Sequence, residues 1–168
     1  VLKMEKQAVV LTFQEDMQSY KTFSVIKKLH LEHQLKVDQI AVIKRKIDGE
    51  LSVEDFLDIT GADKTNRGGL VGMFVGILGG PFGVLLGGLI GSTIGIFQDK
   101  KEITHAYSVF ENTLKSIKPG KTGVIVIVEE QTEETLNNLV QEGNGKIDRY
   151  LEATLRSEIE AERKKIKN

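Results

Sequence analysis

Four places in this chain have residue types that can do chemistry. His30 and His33 flank Glu32, and two imidazoles three residues apart can share a helix face and ligate a metal. No third ligand stands at a matching distance, so both are read as residues of a fraying helix end, where an imidazole favours the dipole. Gly61, Asp63, Lys64 and Thr65 have residue types of a phosphate loop without its G-x-x-x-x-G-K-[ST] spacing. Ser92 lies in no G-x-S-x-G frame, and inside an apolar run its hydroxyl bonds back to its own helix. His105 falls on the polar side of its helix and reads as solvated.

The charged clusters are weaker candidates. Glu54, Asp55 and Asp58 form one acidic group, and Glu129, Glu130, Glu133 and Glu134 another. Neither has the spacing of a calcium loop, and both read as solvated faces. The basic run from Arg163 to Lys167 reads as a solvated helix end, with anionic lipid as the alternative. No catalytic residue, cofactor or metal ligand is assigned, and no enzymatic activity is expected.

Bulk composition narrows the class. The net charge of −1 argues against nucleic acid as a partner. The absence of cysteine removes disulfides and thiolate chemistry, and fits a reducing compartment. The N-terminal apolar run is too short for a signal-peptide core, so the expected location is cytoplasmic, with residues 68–97 as the one segment that could meet a membrane. The 168 residues suit a single domain.

The elements that must position any site follow from periodicity. AVVLTF, from Ala8, is a short apolar run suited to a strand buried on both faces, near the middle of a sheet. A helix follows, with Met17, Tyr20, Phe23, Ile26 and Leu29 at spacings near three, ending around His30 to Gln34. Residues 36–46 lead into a hairpin. A three-residue loop, 47–49, would pair Lys46 with Glu50, Lys44 with Ser52 and Ile43 with Val53, keeping one face apolar.

After the glycine segment, Asp99 caps a helix presenting Ile103, Ala106, Tyr107, Phe110, Leu114 and Ile117, stopped by Pro119 and Gly120. GVIVIV, from Gly123, is the second strand buried on both faces. Thr132 caps a short helix using Leu136, Leu139 and Val140, ended by Gly143. A last strand over 146–150 extends a sheet edge or pairs with another subunit. Leu151, Leu155, Ile159 and Ile166 mark an amphipathic C-terminal helix, 154–168, with a basic end. The class is α+β. The first six elements read as a ferredoxin-like βαββαβ sandwich, with an inserted helical hairpin and a C-terminal αβα extension.

That insert is the most unusual feature. Eleven of the 17 glycines lie between Gly68 and Gly95, and residues 68–98 hold no charge. Gly68, Gly72, Gly76 and Gly80 form one four-residue repeat; Gly83, Gly87, Gly91 and Gly95 form a second, with Pro81 and Phe82 between them. Such spacing keeps glycine on one helix face, where two backbones approach closely. Each interior glycine costs roughly 0.5–1 kcal/mol relative to alanine, so the hairpin needs a partner surface. Limbs of 11–16 residues reach about 17–24 Å, short of a hydrocarbon core of about 30 Å. The partner is therefore a second subunit, in a homo-oligomer, or a membrane surface entered without full crossing.

AVVLTF, the core DITGADKTNRGGLVGMFVGILGGPFGVLLGGLIG and LKSIKPGKTGVIVIVEE together resemble a bacterial family known as domain of unknown function 1269, whose members are often described as predicted membrane proteins. The likeness spans residues 8–153. It implies no activity, catalytic residue or cofactor. The expected function is accordingly a non-enzymatic structural or interaction protein that self-associates through the glycine zipper. The alternative is a small-ligand binding or sensing domain with a pocket where subunits meet.

Overall fold

The computed structural model describes residues 5–48, 51–59 and 117–157. In chain order their elements are β1 (Gln7–Thr12), α1 (Asp16–Leu31), β2 (Lys36–Arg45), β3 (Leu51–Asp58), β4 (Thr122–Glu129), α2 (Glu134–Glu142), β5 (Lys146–Leu151) and α3, a helical stretch over 152–157. The eight glycines of the two zipper repeats, Ser92, His105, Lys64 with its neighbours, the expected 99–117 helix except its last residue and the basic run from Arg163 lie outside the described residues.

All five strands form one antiparallel sheet in the order β3-β2-β4-β1-β5, so the α+β class stands. β1 and β2 both run antiparallel to β4, which lies between them, so α1 is the crossover of a split β-α-β unit. β4 and β5 likewise flank β1, with α2 as their crossover. The two units interleave, and β1 with β4 forms their shared centre. This corrects the grouping of the first six elements: among the described residues β3 pairs only with β2, at one edge, and the second unit is completed by α2 and β5. β5 extends the opposite edge of the sheet, the first of its two expected placements. Pairing is decided by long-range burial, since the strands apolar on both sides must occupy the interior positions.

That rule is visible residue by residue. Ala8, Val9, Val10 and Leu11 of β1, and Val124 to Val128 of β4, are all buried, as their unbroken apolar runs require. One face packs Val9, Leu11, Ile40, Val42, Val124 and Val126 against Phe23 and Ile26 of α1 and Leu136 and Val140 of α2. The other face carries Val10, Ala41, Ile43 and Ile125, also buried. There Ile117 packs so closely on Gly123 that a Cβ would come within 2.8 Å of the Ile117 Cγ1.

The hairpin register is the one a three-residue loop requires: Ile43 faces Val53 and Lys44 faces Ser52, with a bulge just beyond, between Val42 and Ile43. α1 departs from its expected face. Met17 is 80% exposed and Tyr20 is exposed, while Ser19, Thr22, Phe23 and Ile26 are buried. A hydrogen bond between the hydroxyls of Thr122 and Ser19 (2.7 Å) lets Ser19 face inward, because these two buried hydroxyls satisfy each other. Leu151 closes β5 and is half exposed, so the last helix begins after it, with Leu155 buried.

Candidate functional site

Both crossover helices end in the same way. At α1, the Gln34 N–H donates to Leu29 O (2.9 Å) and the His33 N–H to His30 O (3.0 Å), with His33 in the left-handed region at φ 60°. At α2, the Gly145 N–H donates to Val140 O (2.8 Å) and the Asn144 N–H to Gln141 O (3.2 Å), with Asn144 at φ 54°. This is the Schellman termination twice over, and each turn feeds a strand that opens on a lysine, Lys36 or Lys146. Because the two units interleave head to tail, the turns sit at opposite ends of the sheet, and each borders a cleft.

The clefts differ in their side chains. The first encloses about 270 Å3 beside His30, His33, Lys36 and Glu129. Lys36 faces Glu129 in the β2–β4 register, and their charges meet at 3.1 Å. His30 Nδ1 accepts the Val37 N–H (3.1 Å) and lies 3.2 Å from Leu35 O, so the ring spans the start of β2. His30 therefore closes its own turn. His33 lines the same cleft, but among the described residues no group of three His, Asp or Glu side chains could hold a metal.

The second cleft encloses about 500 Å3 between the ends of β1 and β5 and the approach to β4. Lys118, Lys121 and Lys146 line it, together with Thr12, Asn144 and Asp148. Two of these lysines are placed by one turn: the Lys121 N–H donates to Lys118 O (3.0 Å) across Pro119 and Gly120. Gly120 has φ 81°, the conformation a type II turn needs at its third residue. Arg45, only 1% exposed, holds that turn in place. Its Nε donates to Ile117 O (2.6 Å), its backbone N–H to Lys121 O (2.9 Å), and its carbonyl accepts the Gly120 N–H (2.7 Å). Burial pushes the Arg45 guanidinium below its ordinary range. Lys121 Nζ donates to Gln14 O (2.8 Å) across the cleft wall.

The floor is Phe13, 5% exposed and roofed by the α2–β5 turn. A Cβ on Gly145 would come within 2.4 Å of Thr12 O and 2.7 Å of the Phe13 ring, so glycine is required there by close approach. Gly143 ends α2 as expected, but the left-handed residue of the turn is Asn144. The N-cap of α2 is Glu133, one residue later than expected and without a side-chain cap bond, while the Thr132 hydroxyl just ahead of it accepts the Glu134 N–H at 3.3 Å.

Of the second acidic cluster, two members are structural instead of solvated. Glu130 takes both Nε (2.8 Å) and Nη2 (3.0 Å) of Arg149, and Asn137 Oδ1 accepts from Nη1 (2.9 Å). The pair is nearly buried and ties β5 to the β4–α2 connection; Glu130 raises the Arg149 pKa. Glu129 is the partner of Lys36. Glu133 and Glu134 are exposed, as are Glu54 and Asp55. The lysine cleft was missed because its members are scattered over 29 residues; the one local signal was the Lys-Pro-Gly-Lys turn at 118–121.

Comparison with family models, with curated proteins and with solved structures finds no match for this chain.

Proposed function

We propose that the chain is a non-enzymatic interaction protein in which a ferredoxin-like domain, built from β1-α1-β2 and β4-α2-β5, presents the glycine-rich segment for self-association. The observation that carries this reading is where the ends of that segment are anchored. The Ile59 N–H donates to Asp38 O (2.8 Å) near the start of β2, and Ile117 O accepts from Arg45 at its end. Seven residues of strand, about 23 Å, separate the two anchors. Residues 60–116 thus leave and rejoin one sheet. A membrane-entering segment so anchored must return to the side it left. Among the described residues no helix is long and apolar enough to cross a membrane.

The two successive four-residue glycine repeats support the same reading. Light scattering of the full chain should give the mass of an oligomer, and Gly76→Leu or Gly87→Leu should lower it or prevent soluble expression. An unchanged mass and melting temperature would sink the proposal. Liposome flotation of the chain and of a 68–97 deletion distinguishes lipid from a second subunit as the packing surface. A second reading, a small-ligand domain, is favoured by the lysine cleft, which one chain forms by itself.

A further inference from the structure

Lys36 and Lys146 occupy equivalent positions, the first residue of the strand that follows each crossover helix. Each faces the last residue of the neighbouring central strand. For Lys36 that residue is Glu129, and the charges meet. For Lys146 it is Thr12, which carries no charge. Directly opposed residues of an antiparallel pair lie about 5 Å apart at Cβ, so a carboxylate at position 12 would neutralise Lys146 as Glu129 neutralises Lys36. The chain supplies none. Instead the Pro119-Gly120 turn, held by Arg45, brings Lys118 and Lys121 to the same cleft. Among the described residues neither Lys118 nor Lys146 has an ion-pair partner.

From this unequal pair of clefts we infer that the Lys118–Lys121–Lys146 cleft binds a small molecule through a phosphate group. The ligand takes the place that Glu129 fills at the other end of the sheet. Among the described residues that line the cleft, three ammoniums against the carboxylate of Asp148 leave two positive charges, with the Asp16 carboxylate set behind the lining on the Thr122 hydroxyl. A phosphate monoester, near-dianionic at pH 7, neutralises both, whereas one carboxylate neutralises half. A cleft of about 500 Å3 falls within the range of metabolite pockets and leaves room for an organic group beyond the phosphate. Asn144 can supply a neutral donor to the same oxygens. The inference rests on the small-ligand reading and is independent of self-association.

The test uses the full chain and calorimetric titration with inorganic phosphate and with glycerol 3-phosphate, at ionic strength held constant with sodium chloride. Saturable binding is expected. Lys146→Gln should weaken it about tenfold, the loss of one charge-assisted contact, and Lys118→Gln comparably. Thr12→Glu should abolish it by installing the missing carboxylate, while Lys36→Gln should leave it unchanged. Circular dichroism of each variant keeps misfolding separate from loss of binding.

Flotation with phosphatidylcholine vesicles, with and without phosphatidic acid, identifies the source of the phosphate. Flotation that needs both phosphatidic acid and Lys146, without binding of the soluble phosphates, supports the site with a lipid headgroup as ligand. Absence of saturable binding in every arm overturns the inference, as does binding that Lys146→Gln and Thr12→Glu leave unchanged. Light scattering on the same samples reads self-association separately, so either proposal can fail alone.

Discussion

The two helix-to-strand turns are built on one backbone plan and finished with opposite side-chain logic. The α1–β2 turn is closed: His30 satisfies the Val37 N–H, Leu35 plugs into the core, and Glu129 neutralises Lys36. The α2–β5 turn is one residue shorter and has glycine where the first has Gln34, so its backbone can press onto Phe13. Its charges are left facing a cleft. A turn whose polar groups are satisfied internally contributes stability; one that leaves like charges together sacrifices some of it, and that arrangement is retained where an external anion supplies the missing charge.

The contrast is broken most severely at Arg149. Removing one partner of its nearly buried pair with Glu130 leaves the other charge uncompensated, so Arg149→Ala should lower unfolding free energy by about 3 kcal/mol in urea. The counterpart change in the other half, Lys36→Gln, should cost under about 1 kcal/mol, because the Lys36 side chain is 65% exposed. Equal costs would refute the distinction between a lock and a surface pair.

Gly145→Ala comes next. Its Cβ has no room against Thr12 O and Phe13, and about 2–3 kcal/mol of overpacking strain is expected, against under about 0.5 kcal/mol for Gln34→Ala at the equivalent position. His30→Ala should cost about 1–2 kcal/mol by leaving the Val37 N–H without its acceptor, whereas Gln141→Ala, at the same step of the other helix end, should be near neutral. Glu129→Thr should be smaller still in stability. It makes the first cleft resemble the second, so calorimetry should detect an additional, weaker phosphate site.

Alkaline pH gives a gentler probe of the same sheet. The Asp38 carboxylate, 2.6 Å away, holds the Lys6 pKa above its ordinary 10.5. Partial desolvation of the exposed Tyr20 side chain, then Glu54, Asp16 and Asp55, hold its phenol above the ordinary 10.0. In both cases the folded state binds its proton more tightly than the unfolded chain. Stability is therefore full below about pH 10 and falls as pH rises through the folded values. Tyr20→Phe should flatten part of that fall in melting temperatures measured from pH 9 to 11; an unchanged slope would show that Tyr20 does not contribute.

Local pattern carried a good deal of this architecture. Two unbroken apolar runs, AVVLTF and GVIVIV, could only be strands buried on both faces, and they are the sheet's central pair. The hairpin register followed from keeping Ile43 opposite Val53. These are determined by sequence because side-chain period and turn length are local properties. The grouping of strands was not, since element order alone puts β3 in the first βαββαβ set, and only the pairing in space assigns it to the far edge and completes the second unit with β5. The inward turn of α1 was equally hidden: Met17 and Tyr20 have the right spacing, but the partner of the buried Ser19 hydroxyl, Thr122, lies on another part of the fold.

The same division separates the two proposals. The zipper repeat, from Gly68 to Gly95, is a statement about spacing along one chain, and sequence alone determines it. The lysine cleft is a statement about distance between strands. Lys118, Lys121 and Lys146 are ordinary surface residues in the sequence, and Thr12 is unremarked. Only the antiparallel register that sets Thr12 against Lys146, and Glu129 against Lys36, decides which lysine is neutralised and which faces a cleft. Charge pairing acts over a few ångströms in space, and the chain order of these residues does not encode that separation.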